Sequence, residues 1–378
     1  QVYGKKYIDN GARQQMRTAM RLPITVGGAL MPDGHKGYGL PIGGVLATEN
    51  AVIPYGVGMD IGCRMCLSVF DISPNFLRQE SYMLKEALKE HTRFGEKSFS
   101  HPVSEDPIFD RKEFKEVAFI RKLKDKAYKQ LGSSGSGNHF VEFGIVEITE
   151  PNNGLGLHTK PYLGLLSHSG SRGFGAQVAQ HYTKIAKQQC FLPREAQHLA
   201  WLDLDTEAGM EYWIAMNLAG DYASACHHQI HKRLSNVLGR KPIARVENHH
   251  NFAWKERLPN GKEVIIHRKG ATPAKKGELG VIPGSMTAPG FIVRGKGNPE
   301  SFNSAAHGAG RAMSRTQARK SFTNSAMRQE LKKHRVKLIG GAIDESPFAY
   351  KDIHQVMAEQ HSLVDVLGKF TPKIVRMH

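Results

Sequence analysis

Apolar positions change their spacing several times along this chain, and the changes divide it into helices, strands and shaped loops. Near the N-terminus, Asp9, Arg13, Arg17 and Arg21 are interleaved with apolar residues at roughly helical spacing, which predicts a short amphipathic helix with solvated arginines. From Met31 to Gly44, five glycines and two prolines in 14 residues exclude a regular helix and predict a shaped loop. Between residues 75 and 130, charged positions and helical apolar spacing predict surface helices, with a loop around Gly95 to Asp110. Gln177 to Cys190 and Glu207 to Leu238 carry the clearest helical periodicity, and their aromatics and methionines are expected in the core. A basic helical stretch is predicted from Arg328 to Lys337.

Strand patterns fall between these helices. An apolar strand follows Cys63, another follows the glycine- and serine-rich turn before Asn138, a third ends at His168, and a fourth ends in His267-Arg268-Lys269. The mixture predicts an α+β fold: a single domain over residues 1–378, with mixed β-sheets, surrounding helices and a cleft lined by strand-end loops. With 40% hydrophobic content the chain can fill a real core. No run of about 18 apolar residues occurs, so no membrane partner is expected, and a cytoplasmic location is the expectation.

Charge narrows the class of partner. Lys and Arg outnumber Asp and Glu by 52 to 35, a formal net charge of +17, which favours an anionic partner and points first to nucleic acid. Four cysteines in 378 residues do not make a disulfide framework and are available as thiols or metal ligands.

Candidate chemistry gathers at the glycine-broken junctions. Asp60 and Cys63, just before a strand, combine a carboxylate and a thiolate, donors that suit Mn²⁺ or Zn²⁺ and are poor for Mg²⁺. Cys66 completes a Cys-x-x-Cys, but no second such pair follows, and it reads as a buried strand residue. In a strand, Asn138 and Glu142 share a face with Phe140 while His139 faces away, towards a metal if the turn permits. His168 ends a strand, and Ser169, Ser171 and Arg172 follow it with donors for a phosphate. Of the adjacent His249 and His250, the second is the chosen candidate. His227, His228 and His231 have workable metal spacing on a helix, yet a structural role is preferred. His307 stands among small residues: Gly308, Ala309 and Gly310 leave the backbone bare for a phosphate, and Arg311 and Arg315 are spaced for one helical face. Asp33 and His35 lie in the glycine-rich loop, which looks like a substrate edge.

Taken in order, Asp-Gly-His-x-Gly-Tyr-Gly, Asp-Ile-Gly-Cys, Gly-Asn-His-Phe-x-Glu, Ser-His-Ser-Gly-Ser-Arg-Gly, His-Arg-Lys-Gly-Ala, Pro-Gly-Ser-Met and His-Gly-Ala-Gly-Arg resemble the RtcB family of GTP-dependent RNA ligases over nearly the entire chain. The resemblance implies two Mn²⁺ ions bridged by Cys63, one completed by Asp60 and His139, the other by His168 and His250. It implies that Asn138 contacts the triphosphate, that Glu142, Ser285 and Tyr350 surround the guanine, and that His307 carries GMP. Asp33, His35, Arg172, Arg311 and Arg315 are the expected RNA or phosphate contacts. The implied reaction joins an RNA 3′-phosphate, or an opened 2′,3′-cyclic phosphate, to a 5′-hydroxyl in RNA repair or tRNA splicing, and leaves room for an accessory activating protein. Two departures stand out: Met377 falls where the family commonly has a guanine-bordering lysine, with Lys373 and Arg376 as substitutes, and Gly290 falls where a second serine is expected. The rival readings are a metal-dependent guanylyltransferase or phosphodiesterase that does not seal, and a non-catalytic RNA-binding protein.

Overall fold

The long helix Glu207–Leu238 shows how this chain commits its apolar residues. Thr206 caps its first turn by accepting from Gly209 N–H, and Gly239 in the left-handed region ends it. Tyr212, Met216, Tyr222, Cys226 and Ile230 are among the side chains it buries. It packs against the helix Arg172–Gln189, whose own Phe174, Val178 and Tyr182 enter the same core. The computed structural model describes residues 1–99 and 105–378, so part of the expected Gly95 to Asp110 loop, residues 100–104, lies outside the described residues.

Further along the long helix, Ile230 and Leu234 pack against Phe70, Phe143 and Leu165 on one face of an eight-stranded sheet. Its path runs Leu279–Ile282, Gly290–Gly295, Val364–Met377, Phe140–Ile148, Pro161–Ser169, Arg64–Phe70 and Ala244–His249, with Lys337–Ile339 alongside Val364–Met377. Every neighbouring pair is antiparallel except that last one. A second, four-stranded sheet runs Thr25–His35, Ile42–Thr48, Glu263–Lys269 and Phe252–Arg257. Mixed sheets with surrounding helices are the α+β architecture expected from the sequence.

The N-terminal helix spans Asn10–Ala19; Asp9 caps it by accepting from Ala12 N–H, and Ala12, Met16 and Ala19 face inward while Arg17 and Arg21 are exposed. Three local expectations are corrected. The strand Thr25–His35 runs on through Met31, and only residues 36–41 form the loop. The pairing shifts register between Leu30 and His35, an irregularity that accommodates Pro32, which has no N–H to donate. Arg311 and Arg315 do not share a helix: Gly310 takes a left-handed φ of 72°, Arg311 bridges to Tyr350, and a helix starts only at Arg315 behind its Ser314 cap. The basic stretch is helical from Asn324 to Lys333, and Lys337 already belongs to a strand.

The four-stranded sheet is tied to a short neighbouring strand through a buried cation. Arg268 is fully buried; it donates to Glu256 Oε1 at 2.8 Å, to Ser304 Oγ at 2.7 Å and to the Phe302 carbonyl at 2.8 Å, with its guanidinium 4.6 Å from the Trp254 ring centre. It thereby fixes the short strand Ser304–Ala306, which leads directly to His307. Removing Glu256 leaves this charge buried with carbonyl and hydroxyl acceptors only. Glu256→Ala should therefore lose ~3–5 kcal/mol in urea unfolding; a loss below about 1 kcal/mol would show that the pair does not hold the junction.

Candidate active site

Antiparallel pairing decides where the candidate ligands go. In four adjacent strands, the start of one lies beside the end of the next, so residues at alternating ends collect on one sheet edge. Cys63 immediately precedes Arg64–Phe70, His139 immediately precedes Phe140–Ile148, His168 is near the end of Pro161–Ser169, and His250 immediately follows Ala244–His249. The register sets Arg64 opposite both Ser169 and His249, and Phe140 opposite His168. Four residues far apart in sequence therefore meet without any long loop. Asp60 joins them from the turn before Cys63, where Gly62 is left-handed and a Cβ would lie 2.8 Å from Gly220 Cα of the long helix.

Contacts divide around the thiol. Cys63 Sγ lies 3.3 Å from His139 Nε2 and 3.1 Å from His168 Nε2. On one side, His139 Nε2 is 3.0 Å from Asp60 Oδ2; on the other, His168 Nε2 is 3.2 Å from His250 Nε2. The Asp60 oxygen is buried without a hydrogen bond of acceptable geometry, so its closeness to His139 is not explained by pairing. His168 donates from Nδ1 to the Asn138 carbonyl at 3.1 Å, leaving the Nε2 lone pair turned towards the thiol. Burial, with neighbouring histidines, holds His168 and His250 neutral, well below the usual range. Burial and the Asp60 carboxylate push the Cys63 thiol well above its usual value. Bare nitrogens, a carboxylate and a thiol converging with unmet bonding capacity fit a cation, and the sulfur and nitrogen content favours a transition ion.

His307 borders this centre, its ring centre 4.8 Å from that of His250. Asp33, fully buried, accepts from the His307 Nδ1–H at 2.7 Å and from its backbone N–H at 3.2 Å. That leaves Nε2 as the unprotonated nitrogen. Lys351 brackets Asp33 by donating to the Pro32 and Gly34 carbonyls. Asp33 is thus corrected from a phosphate contact to the group that orients His307. His35 lines the cleft, where burial pushes it down to about 4 and its Nδ1 bonds the Asp33 carbonyl.

The cleft has a volume of about 1320 Å³, above the usual range for a single small ligand, with room for a nucleotide and a polymer end. Asn138, Glu142, Ser285, His307, Gly308, Ala309, Gly310 and Tyr350 all line it, as do Arg172, Arg311 and Arg315. Glu142 lies in the strand, buried and without a hydrogen-bond partner among the described residues, and burial pushes its carboxyl well above the usual range; His139 lies in the turn before the strand, which frees it to face Cys63. Gly310 must be glycine because a Cβ would lie 2.1 Å from the Asp33 carbonyl oxygen, a packing requirement rather than a phosphate one. Arg311 and Arg315 are not free forks. Arg311 pairs with Glu345 at 3.4 Å and bonds the Asp344 carbonyl, and Arg315 pairs with Asp344 at 2.9 Å and Glu345 at 2.5 Å. Arg172 donates to Ser133 Oγ and the Gly95 carbonyl. Ser169 and Ser171 are fully buried, and the Ser171 hydroxyl donates to the Ile61 carbonyl, so neither offers a phosphate donor. The Tyr350 hydroxyl donates to Glu345.

His227 and His231 lie beside Cys66 in a second buried group whose ligand atoms are close enough to hold a metal ion, although their nitrogens also have protein partners. The Ser167 hydroxyl sits where both imidazoles aim: it donates to His227 Nδ1 at 2.6 Å and accepts from His231 Nε2–H at 2.8 Å. His227 donates to the Ser169 carbonyl, and Ser68 donates to His231. His249 packs on Phe252 and Trp254, away from the centre.

Residues 15–119 and 108–377 match the family model described as tRNA-splicing ligase RtcB. The chain belongs to the RtcB family. It is 33% identical to the RNA-splicing ligase RtcB of Escherichia coli K12, over 95% of this chain and 92% of that one. It is 30% identical to the tRNA-splicing ligase RtcB of Nanoarchaeum equitans, over 96% and 90%, and 29% identical to that of Thermococcus kodakarensis, over 98% and 92%. Against the RtcB pattern, Met377 lines the cleft with Val375 and Pro372, whereas Lys373 and Arg376 do not; Arg376 bonds the Leu88 carbonyl on the opposite face. Gly290 lines the cleft without a side chain to offer.

If Cys63 holds a metal at this RtcB site, uptake would have to displace its proton, since burial pushes the thiol well above its usual value. Uptake of Mn²⁺ measured by calorimetry in two buffers of different ionisation enthalpy should release about one proton or more at pH 7 and weaken as pH falls. Buffer-independent heats would show that the thiol is not a ligand.

Proposed function

We propose that this RtcB protein is an RNA ligase that joins a 3′-phosphate or 2′,3′-cyclic phosphate end to a 5′-hydroxyl end, using GTP and two Mn²⁺ ions. The observation that carries the reading is the pairing of His307 with buried Asp33 beside a thiol-centred ligand cluster. Asp33 accepts the Nδ1 proton, so Nε2 enters the cleft as a neutral nucleophile whose developing imidazolium the same carboxylate stabilises. Cys63, with Asp60 and His139 on one side and His168 and His250 on the other, would hold the ions. Bound there, they supply positive charge for phosphate oxygens and a template for an in-line displacement.

The chain's own groups account for the remaining steps. His307 Nε2 attacks the α-phosphorus of GTP, the bond to the bridging oxygen breaks, and pyrophosphate leaves. The RNA 3′-phosphate then takes the GMP from His307, restoring the free imidazole. Finally the 5′-hydroxyl attacks the activated phosphate, loses its proton, and expels GMP as the new phosphodiester forms. A cyclic end is first opened by water to the 3′-phosphate.

Nucleotide choice follows from Glu142. A buried carboxyl without a partner among the described residues has two acceptor oxygens, and guanine's N1–H and N2–H are matching donors, which adenine lacks. Those donors would restore the carboxylate that burial disfavours. Ser285 and Tyr350 border the same space, Asn138 offers an amide to the phosphates, and Met377 covers the edge with an apolar side chain. The physiological partner is RNA carrying these ends, and a further activating protein would act on this same cycle.

The reading is tested by incubating the protein with Mn²⁺ and α-labelled GTP, then with RNA strands bearing a 3′-phosphate and a 5′-hydroxyl. Wild type should acquire covalent label and release it as joined RNA. His307→Ala should acquire none, and Asp33→Asn should label about 10²- to 10⁴-fold more slowly through loss of the orienting carboxylate. Label in His307→Ala would remove this nucleophile, and label without joining would favour a guanylyltransferase that does not seal.

A further inference from the structure

Residues 36–41, between the first two strands of the four-stranded sheet, hold an aromatic side chain that the reaction above does not use. Tyr38 lines the cleft and is 67% exposed. Tyr82 and Phe191 are more exposed, but neither lines the cleft. The other cleft-lining tyrosine, Tyr350, has its hydroxyl committed to Glu345.

The backbone under Tyr38 is fixed from every side. Gln15 donates to the Gly37 carbonyl at 2.6 Å and accepts from the Gly37 N–H at 3.0 Å. Buried Lys269 donates to the Tyr38 carbonyl at 2.5 Å and to the Tyr55 carbonyl at 3.0 Å. Gly39 has a φ of 68°, and a Cβ there would lie 2.7 Å from the His198 carbonyl oxygen. A buried lysine and a left-handed glycine are costly devices for holding a surface loop, and what they hold in place is an open aromatic face.

Tyr38 does not stand alone. Its ring meets that of Tyr55 edge-on at 6.4 Å and that of His198 at 5.9 Å, while Tyr55 and His198 lie 4.8 Å apart. Lys187 approaches His198 at 3.3 Å and Lys36 is exposed beside the loop, giving the platform a cationic rim. The nucleophile is close: a Cβ on Gly270, next to Lys269, would lie 3.2 Å from His307 Cε1 and 2.4 Å from Ile42 at the far end of the same loop. Aromatic faces flanked by lysines are how proteins hold unpaired nucleic-acid bases, because every base has a π-face and every linkage a negative charge.

We propose that Tyr38, braced by Tyr55 and His198, is a stacking platform for the unpaired terminal base of an RNA end entering the cleft. This rests on the RNA-ligase reading for its ligand and extends it to how the end is aimed at His307. Such a platform would accept many end sequences, since stacking reads the presence of a base rather than its edge.

The test places 2-aminopurine as the terminal base of an RNA strand, at the 3′-phosphate end in one arm and at the 5′-hydroxyl end in the other. Wild type should quench the fluorophore in one arm, which identifies the end that stacks. Tyr38→Ala should lose that quenching and raise KM for the same strand in joining by roughly 5- to 150-fold, the range for loss of one base–aromatic stack. It should keep covalent labelling by GTP, a half-reaction without RNA, and Tyr38→Trp should restore quenching and KM. Quenching that wild type and Tyr38→Ala share, or quenching in neither arm, overturns the proposal. So does loss of GTP labelling in Tyr38→Ala, which would assign Tyr38 a structural role. Quenching that depends on Tyr38 in a protein that neither labels nor joins would support the platform and defeat the ligase reading instead.

Discussion

A single buried thiol flanked by two sets of donors is the constraint on which the rest of this structure depends. Cys63 has His139 and Asp60 on one side, His168 and His250 on the other, all within close contact and with their protons too few for the lone pairs present. Such an arrangement is expensive to hold together without a cation, because these groups have surrendered water for one another and Asp60 Oδ2 has no hydrogen-bond partner among the described residues. The antiparallel order of four strands makes it possible, since their alternating ends deliver these donors to one edge from a rigid sheet rather than from loops. The Arg268 junction then fixes the short strand Ser304–Ala306, and with it His307, beside this cluster.

Orientation inside the cleft comes from hydrogen bonds that fix tautomers. Asn138 turns one nitrogen of His168 towards the thiol, and Asp33 does the same for His307 towards the open cleft. Both are cases of a partner outside the reacting set deciding which nitrogen carries the proton. Charge is handled with similar restraint. Asp344 and Glu345 are buried and tie down Arg311, Arg315 and Arg319, so these arginines shape the wall as ion-paired residues instead of standing as open phosphate forks. Tyr38 and Lys269 show the opposite economy, a buried cation spent on keeping a single ring exposed.

Residue spacing alone showed the long helices, because a 3.6-residue repeat survives any tertiary context. It also showed the glycine-broken strand ends where Cys63, His168 and His307 lie. It misread Asp33, Ser169 and Ser171, since polar residues near glycines look the same whether they face a ligand or a neighbouring backbone. Arg311 and Arg315 have helical spacing, yet Gly310 and the bridge to Tyr350 keep the first of them out of a helix. Lys351, Asn251 and Gln360 escaped notice altogether. Each acts by bonding backbone far away in sequence, Lys351 at Pro32 and Gly34, Asn251 at Gly270, and Gln360 at Ala306, and no local pattern records such a contact. The glycine-rich loop was legible as a substrate edge, but Tyr38 in it is one aromatic among glycines until Gln15, Lys269 and His198 are seen to hold its backbone.

The shared thiol is tested most directly by electron paramagnetic resonance of the Mn²⁺-loaded protein. Two ions joined through one sulfur are magnetically coupled, so the wild type should give an exchange-coupled spectrum at two equivalents of metal, and Cys63→Ala should bind less metal and show only isolated six-line signals. A wild-type spectrum of two uncoupled ions, or a coupled pair that survives in Cys63→Ala, would contradict the account.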